Sequence, residues 1–275
     1  MTMVQNEKNR ASLAQAETEE KTVPATVELR DLRKKLGGVV VLDGISLQVR
    51  RGETMCIIGG SGAGKSVTLK HIVGLMKPDS GDVLLDGVNL TEATGKNLEE
   101  LRKRIGFCFQ GAALLNSLTV FENVALPLRE LEGLDGTELS DRVMARLELV
   151  GLENAAQKMP SHLSGGMRKR VGLARAIIRD PEIILYDEPT SGLDPVTAAT
   201  INTGILEMQE KLNVTSMLVS HDMSSAFRVS NRIAMLYKGK IIAVGTPDEL
   251  KKNDDARVQQ FIYGDSEGPL SREKS

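Results

Sequence analysis

An α/β fold is predicted, with a nucleotide-binding core, a small antiparallel β subdomain beside it and an inserted α-helical subdomain. Three observations point to it. The apolar run Thr54 to Ile58 leads through Gly59-Gly60-Ser61-Gly62-Ala63-Gly64-Lys65-Ser66 into a helical stretch, Val67 to Met76, which is the strand, glycine loop and helix succession of a phosphate-binding loop. A second apolar run, Ile183 to Tyr186, ends in Asp187-Glu188 and so brings two carboxylates to the end of a buried parallel strand. Between them, from Ala112 to Asp180, the pattern changes to helical periodicity.

In chain order, residues 1–24 read as a disordered lead, because Met1 to Thr22 is polar, mixed in charge and without a signal-peptide core. Residues 25–253 form the expected catalytic domain. It opens with β-rich runs, Val27 to Val49 and Gly81 to Asn89, whose expected turns lie at Gly44 and Asp86-Gly87. The core starts at Thr54, and the strand Ile105 to Phe109 follows, closed by Gln110. The helical subdomain, about 112–180, holds amphipathic pieces at Leu128 to Leu131 and Val143 to Val150. It ends in a helix over Met167 to Ile178, with Met167, Val171, Ala174 and Ile178 at helical spacing. Asp194-Pro195 starts another helix as N-cap and first-turn proline, with Ile201, Ile205, Met208 and Leu212 as its buried stripe. After the strand Val214 to Ser220, Thr246-Pro247-Asp248-Glu249 is a capping box before a short helix. Residues 254–275 are an expected C-terminal extension, whose Val258, Phe261 and Ile262 are expected to be covered by a neighbouring subunit.

Small residues from Gly59 to Gly64 let the backbone wrap around an anion, and the helix that begins at Lys65, Ser66 and Val67 aims its unpaired N–H groups at the same point. Lys65 would reach the β- and γ-phosphates of a triphosphate, and the Ser66 hydroxyl would join the shell of Mg²⁺. The paired acids divide the remaining work. Asp187 would hold the metal, and Glu188 would polarise the attacking water. Leu163-Ser164-Gly165-Gly166-Met167 adds a second helix N-terminus suited to phosphate. One nucleotide does not need two cradles within one chain. Both are used if two copies pair head to tail, with Ser164, Gly165 and Gly166 of one facing the phosphate loop of the other.

With these motifs in order the chain resembles an ATP-binding-cassette (ABC) ATPase over about Val27 to Leu250, and the resemblance implies a P-loop (RecA-like) core, ATP and Mg²⁺. Gln110 then resembles the Q-loop glutamine, a metal-sensing and catalytic residue facing membrane subunits. Ser191-Gly192-Leu193-Asp194 is similar to the D-loop, and His221 to the switch histidine that holds the γ-phosphate. Two departures narrow the family. Met167 stands where Gln is usual, and Leu36 stands where an adenine-stacking aromatic is common. With Phe109 to Leu115, Val124 to Glu130 and Ala256 to Phe261, they resemble the ATPase of Mla/Mce-type phospholipid transport systems. That likeness implies a homodimer beneath two permease subunits, an MCE-domain lipid-binding protein, a small STAS-domain partner in some systems, and a peripheral place on the cytoplasmic face of the inner membrane. An importer ATPase for an amino acid or a metal shares the same core motifs. A soluble ABC ATPase acting on nucleic acid is the third class.

Composition bears on that third class. A formal charge of −2 offers no basic field for nucleic acid, and neither a long coiled-coil insertion nor a second cassette is visible. No apolar run approaches membrane-spanning length. Cys56 and Cys108, both inside predicted strands, are expected to be reduced, buried packing residues.

Overall fold

Residues 25–272 are described by the computed structural model. The chain opens with β1 (Ala25–Leu36) and β2 (Val39–Arg50), an antiparallel hairpin turned at Gly37 and Gly38, both at positive φ. Gly44, expected to be a turn, lies inside β2. Its φ of 80° falls where the register with β1 is irregular, so it bulges the strand. β3 (Thr54–Ile58) and α1 (Lys65–Ile72) flank the glycine loop. β4 (Ser80–Leu85) and β5 (Val88–Asn89) then close a hairpin through Asp86-Gly87, both at positive φ as a tight hairpin turn requires. These strands form a four-stranded sheet of order β2-β1-β4-β5, antiparallel throughout.

After α2 (Gly95–Lys103) and β6 (Ile105–Cys108) the helical subdomain begins. α3 (Val120–Glu132) starts at a Thr119 capping box and ends at Gly133, and α4 (Gly136–Leu149) follows. α5 (Gly165–Ala176) is capped by the Ser164 side chain. β7 (Ile183–Asp187), α6 (Pro195–Leu212), β8 (Thr215–Ser220), α7 (Met223–Val229), β9 (Arg232–Tyr237) and β10 (Lys240–Gly245) complete the six-stranded sheet, of order β10-β9-β3-β8-β7-β6. Its members run parallel except β10, which pairs antiparallel at the edge.

Every residue of β3, β7 and β8 is buried, because α5 and α6 cover one face and α1 together with the antiparallel sheet covers the other. The two faces divide by alternation. Met55 and Ile57 pack toward the antiparallel sheet, with Val27, Leu29 and Leu85, whereas Cys56 and Ile58 pack toward α5 and α6, with Leu173, Ile201 and Ile205. α5 is buried on two sides, since its Val171 and Ala174, with Ile178 just past its end, also join the core of the helical subdomain with Val124 and Val143.

The described residues end in α8 (Pro247–Lys251), α9 (Ala256–Tyr263) and α10 (Pro269–Arg272), and here one expectation is overturned. Val258 and Ile262 are covered by their own domain, at 0% and 8% exposure, in the same cluster as Ile233, Met235 and Leu250, with Phe261 packed beside them. The buried Gln260 pins the segment by accepting from the Leu270 N–H at 2.8 Å and donating to Ser271 Oγ at 2.7 Å. An apolar helix face is cheapest to cover with what folds nearby, and β9 and β10 supply it. The expectation for residues 1–24 lies outside the described residues.

Candidate active site

Five strand ends of a parallel sheet point one way, and the cleft past their C-termini collects residues far apart in sequence. The glycine loop follows β3, Gln110 lies two residues past β6, Glu188 directly follows β7, and His221 directly follows β8. A cleft of about 600 Å³ is lined by Gly62, Gly64, Lys65, Ser66, Gln110, Glu188 and His221, with Val41 from β2 and Ser191 at its edges. Gly64 caps α1 in the left-handed region at φ 106°, and a Cβ there would meet Leu42 Cδ2 at 2.7 Å and the Val41 carbonyl oxygen at 2.9 Å. Only glycine fits that approach.

Lys65 is 6% exposed, and burial pushes its ammonium below the ordinary lysine range against the opposing pull of Glu188 and Asp187. Its Nζ donates to the carbonyls of Gly59 at 2.8 Å and Gly60 at 3.0 Å and lies 4.0 Å from Glu188 Oε1. Ser66 Oγ donates to Asp187 Oδ1 at 2.7 Å, so two of the three expected metal ligands, one from the first turn of α1 and one from the end of β7, meet directly. Around Glu188 the other expected catalytic groups converge. Gln110 Nε2 donates to Glu188 Oε2 at 3.0 Å, and His221 Nδ1 lies 3.2 Å from Glu188 Oε1.

Ser164, Gly165 and Gly166 are not brought to this cleft. They form the start of α5, with Ser164 exposed, Gly165 half-buried and Gly166 buried, and Ser164 Oγ accepts from the Met167 N–H at 3.2 Å. Leu36, expected near adenine, is 38% exposed at the tip of β1 and does not line the cleft. Val41 does. Asp194 accepts from the N–H groups of Val196 and Thr197, both at 3.0 Å, and so fixes the start of α6 beside the loop Ser191 to Asp194. Cys56 and Cys108 are free and fully buried, as expected, with burial pushing their thiols up to about 12 and about 11.

Two residues of the site escaped sequence reasoning. Lys169 is 7% exposed and donates to the backbone carbonyls of Gln110 and Glu188; Arg175 donates to those of Ala112 and Ala113. A signal for Lys169 was present. Gly166, Lys169, Leu173 and Ala176 make a second buried stripe on α5 at spacings of three and four, and a lysine within such a stripe needs buried acceptors.

The comparisons with known proteins agree with this geometry. The family described as ABC transporter matches residues 42–191. This chain belongs to the ABC transporter family. The intermembrane phospholipid transport system ATP-binding protein MlaF of Haemophilus influenzae is 41% identical over 244 residues, spanning 89% of this chain and 92% of that protein. A Mycobacterium leprae protein named "Probable ribonucleotide transport ATP-binding protein mkl" is 39% identical, over 89% of this chain and 70% of its own length. Among solved structures, the ATP-binding cassette MJ0796, dimeric and bound to ADP and phosphate after hydrolysis, superposes with a TM-score of 0.73 at 34% identity, covering 80% of this chain and 98% of that one. The chain is an ABC ATPase with the expected α/β fold, and among its described residues no helix is long and apolar enough to cross a membrane.

Proposed function

We propose that the chain is the ATP-hydrolysing subunit of a phospholipid transporter, working as a homodimer on the cytoplasmic face of the inner membrane beneath two permease subunits. An MCE-domain protein and, in some assemblies, a STAS-domain protein complete the proposed complex. The observation that carries the catalytic reading is the convergence of Lys65, Gln110 and His221 on the two oxygens of one carboxylate, Glu188. The 41% identity to MlaF over nearly all of both chains favours phospholipid as cargo over the other solutes considered. The relative named for ribonucleotide transport is matched over a smaller share of its length.

Mg²⁺ suits the oxygens available. Ser66 Oγ and Asp187 Oδ1 are hard donors already 2.7 Å apart, and Gln110 offers an amide oxygen nearby. When bound, the ion neutralises phosphate charge. The chain's own residues do the rest. Glu188 orients a water for in-line attack and accepts its proton; the new O–P bond forms as the bond from the γ-phosphorus to the β,γ-bridging oxygen breaks, giving ADP and phosphate. Lys65 and His221 steady the γ-phosphate. In the proposed dimer Ser164, Gly165 and Gly166 of the partner close over it, and departure of the phosphate removes the charge that bridges the two copies.

Purification of the assembled complex with Glu188→Gln tests the reading. The variant should bind ATP, lower turnover by roughly two to four orders of magnitude as expected for loss of a general base, and accumulate closed dimers. Phospholipid should copurify with the membrane subunits. Near-wild-type hydrolysis would remove Glu188 from its role, and a complex that carries a different solute would overturn the cargo.

A further inference from the structure

Lys169 sits in the second turn of α5 with its charge in the interior. An apolar residue would fill that stripe at less cost, because a buried ammonium must find acceptors for its donors. Its Nζ has two acceptors on different strand ends. It donates to the carbonyl of Gln110 and, at 3.1 Å, to the carbonyl of Glu188. The side chains of these same two residues meet on the cleft side, Gln110 Nε2 to Glu188 Oε2 at 3.0 Å. One cation therefore joins from behind the two segments whose functional groups touch in front.

Glu188 needs such support. Its φ of 47° is left-handed, a conformation that crowds the Cβ against the backbone and is strained for any residue but glycine. Three hydrogen bonds hold it there: its N–H donates to the Val219 carbonyl at 3.1 Å, and its own carbonyl accepts from the Ser191 N–H at 3.2 Å and from Lys169. Further along α5, Gly172 packs against Ala112, where a Cβ would come within 3.1 Å of the alanine Cβ. Arg175 donates to the carbonyls of Ala112 and, at 2.8 Å, Ala113, which both have positive φ, 60° and 45°. α5 thus grips the chain from Gln110 to Ala113 and the backbone of Glu188 together. Burial lowers the pKa of Lys169, and the nearby Asp187 and Glu188 carboxylates oppose that shift.

We propose that Lys169 is a positioning residue for ATP hydrolysis, holding the backbones of Glu188 and Gln110 so that both side chains face the attacking water, and tying that alignment to the helix that begins at Ser164-Gly165-Gly166. The inference rests on the hydrolytic role proposed for Glu188. It makes the seating of one end of α5 felt at the catalytic carboxylate of the same chain.

The test is a double-mutant cycle on ATP hydrolysis by the full chain, with ATP binding and thermal denaturation measured in parallel. Lys169→Met keeps the aliphatic stem and removes the donor. It should lower kcat by about tenfold or more, within the range that a misplaced general base loses, and leave the KM for ATP within about threefold. In a Glu188→Gln background the same change should lower the residual rate by less than about twofold, because the group it positions is already gone. Lys169→Arg, which retains donors, should stay within about threefold of wild type. A wild-type kcat for Lys169→Met, or an equal fold loss in both backgrounds, overturns the proposal while leaving the role of Glu188 intact. Normal hydrolysis by Glu188→Gln alone overturns both. If Lys169→Met does not fold, Lys169→Leu, which also lacks a donor, takes its place in the cycle, with the same background dependence expected and an equal loss overturning it.

Discussion

Replacing Gly166 by alanine would probe the join between the Ser164-Gly165-Gly166 turn and α6. Both glycines lie in the first turn of α5, yet their surroundings differ. A Cβ on Gly166 would fall under 3.0 Å from Thr197 Cγ2, a separation real Cβ atoms do not adopt, whereas one on Gly165 would meet Leu193 Cδ2 at 3.4 Å, an ordinary contact. Thr197 cannot simply turn away. Its N–H donates to Asp194 Oδ1 at 3.0 Å and its Oγ1 to Asp194 Oδ2 at 2.5 Å, so moving it disturbs the cap of α6. Overpacking costs about 1–3 kcal/mol, and a disturbed cap adds about 1 kcal/mol. The helix preference of alanine over glycine offsets at most about 1 kcal/mol. Gly166→Ala should therefore lose about 1–3 kcal/mol net, a fall in Tm of roughly 3–10 °C for a chain of this size, and Gly165→Ala should be neutral or slightly stabilising. Thr197→Ser removes Cγ2 and keeps the hydroxyl on Asp194, so it should restore most of the loss in the Gly166→Ala background. Thermal denaturation of the full chain followed by circular dichroism reads all four proteins. Equal stability of the two alanine variants, or no recovery with Thr197→Ser, would refute the steric reasoning.

Val258→Ala, at a fully buried site, should cost about 2 kcal/mol, and truncation after Asn253 should destabilise the isolated chain in urea titration; an unchanged midpoint for the truncated protein would restore the intersubunit role. Arg257 beside Asp255 holds that carboxyl down at about 2 from an ordinary 3.8, so its contribution is present above about pH 4 and is lost as pH falls toward 2. Asp255→Asn keeps the cap of α9 and should lower Tm by only a degree or two at pH 7, since the pair is partly exposed, and by less as the pH is taken down through about 2. Cys56 and Cys108, buried and with thiols raised to about 12 and about 11, should resist iodoacetamide at pH 8 in the folded chain and react once it is unfolded in urea, as peptide mass mapping would report.

Local chemistry made much of this protein readable from its residues. The spacing from Gly59 to Ser66, the acids after Ile183 to Tyr186, and the caps at Asp194 and Thr246 act within a few residues of one another, and each stands as a strand, helix or cap where its pattern implied. Glu188 could be named because it follows a buried strand, and parallel strands deliver their C-terminal ends to one edge; Gln110 and His221, also at strand ends, are named by their resemblance to the Q-loop glutamine and switch histidine of ABC ATPases. Long-range packing decided the rest. Whether Gly44 turns or bulges depends on the register between β1 and β2, which the residue itself does not encode. The cover over Val258 and Ile262 is set by which surface lies nearest once β9 and β10 have formed; a periodic apolar stripe states only that some cover is needed. Lys169 is the clearest case: in sequence it is one cation among Arg168, Lys169 and Arg170, and only the closing of α5 over the ends of β6 and β7 buries it and gives its donors the two carbonyls that a solvent-facing lysine would never meet.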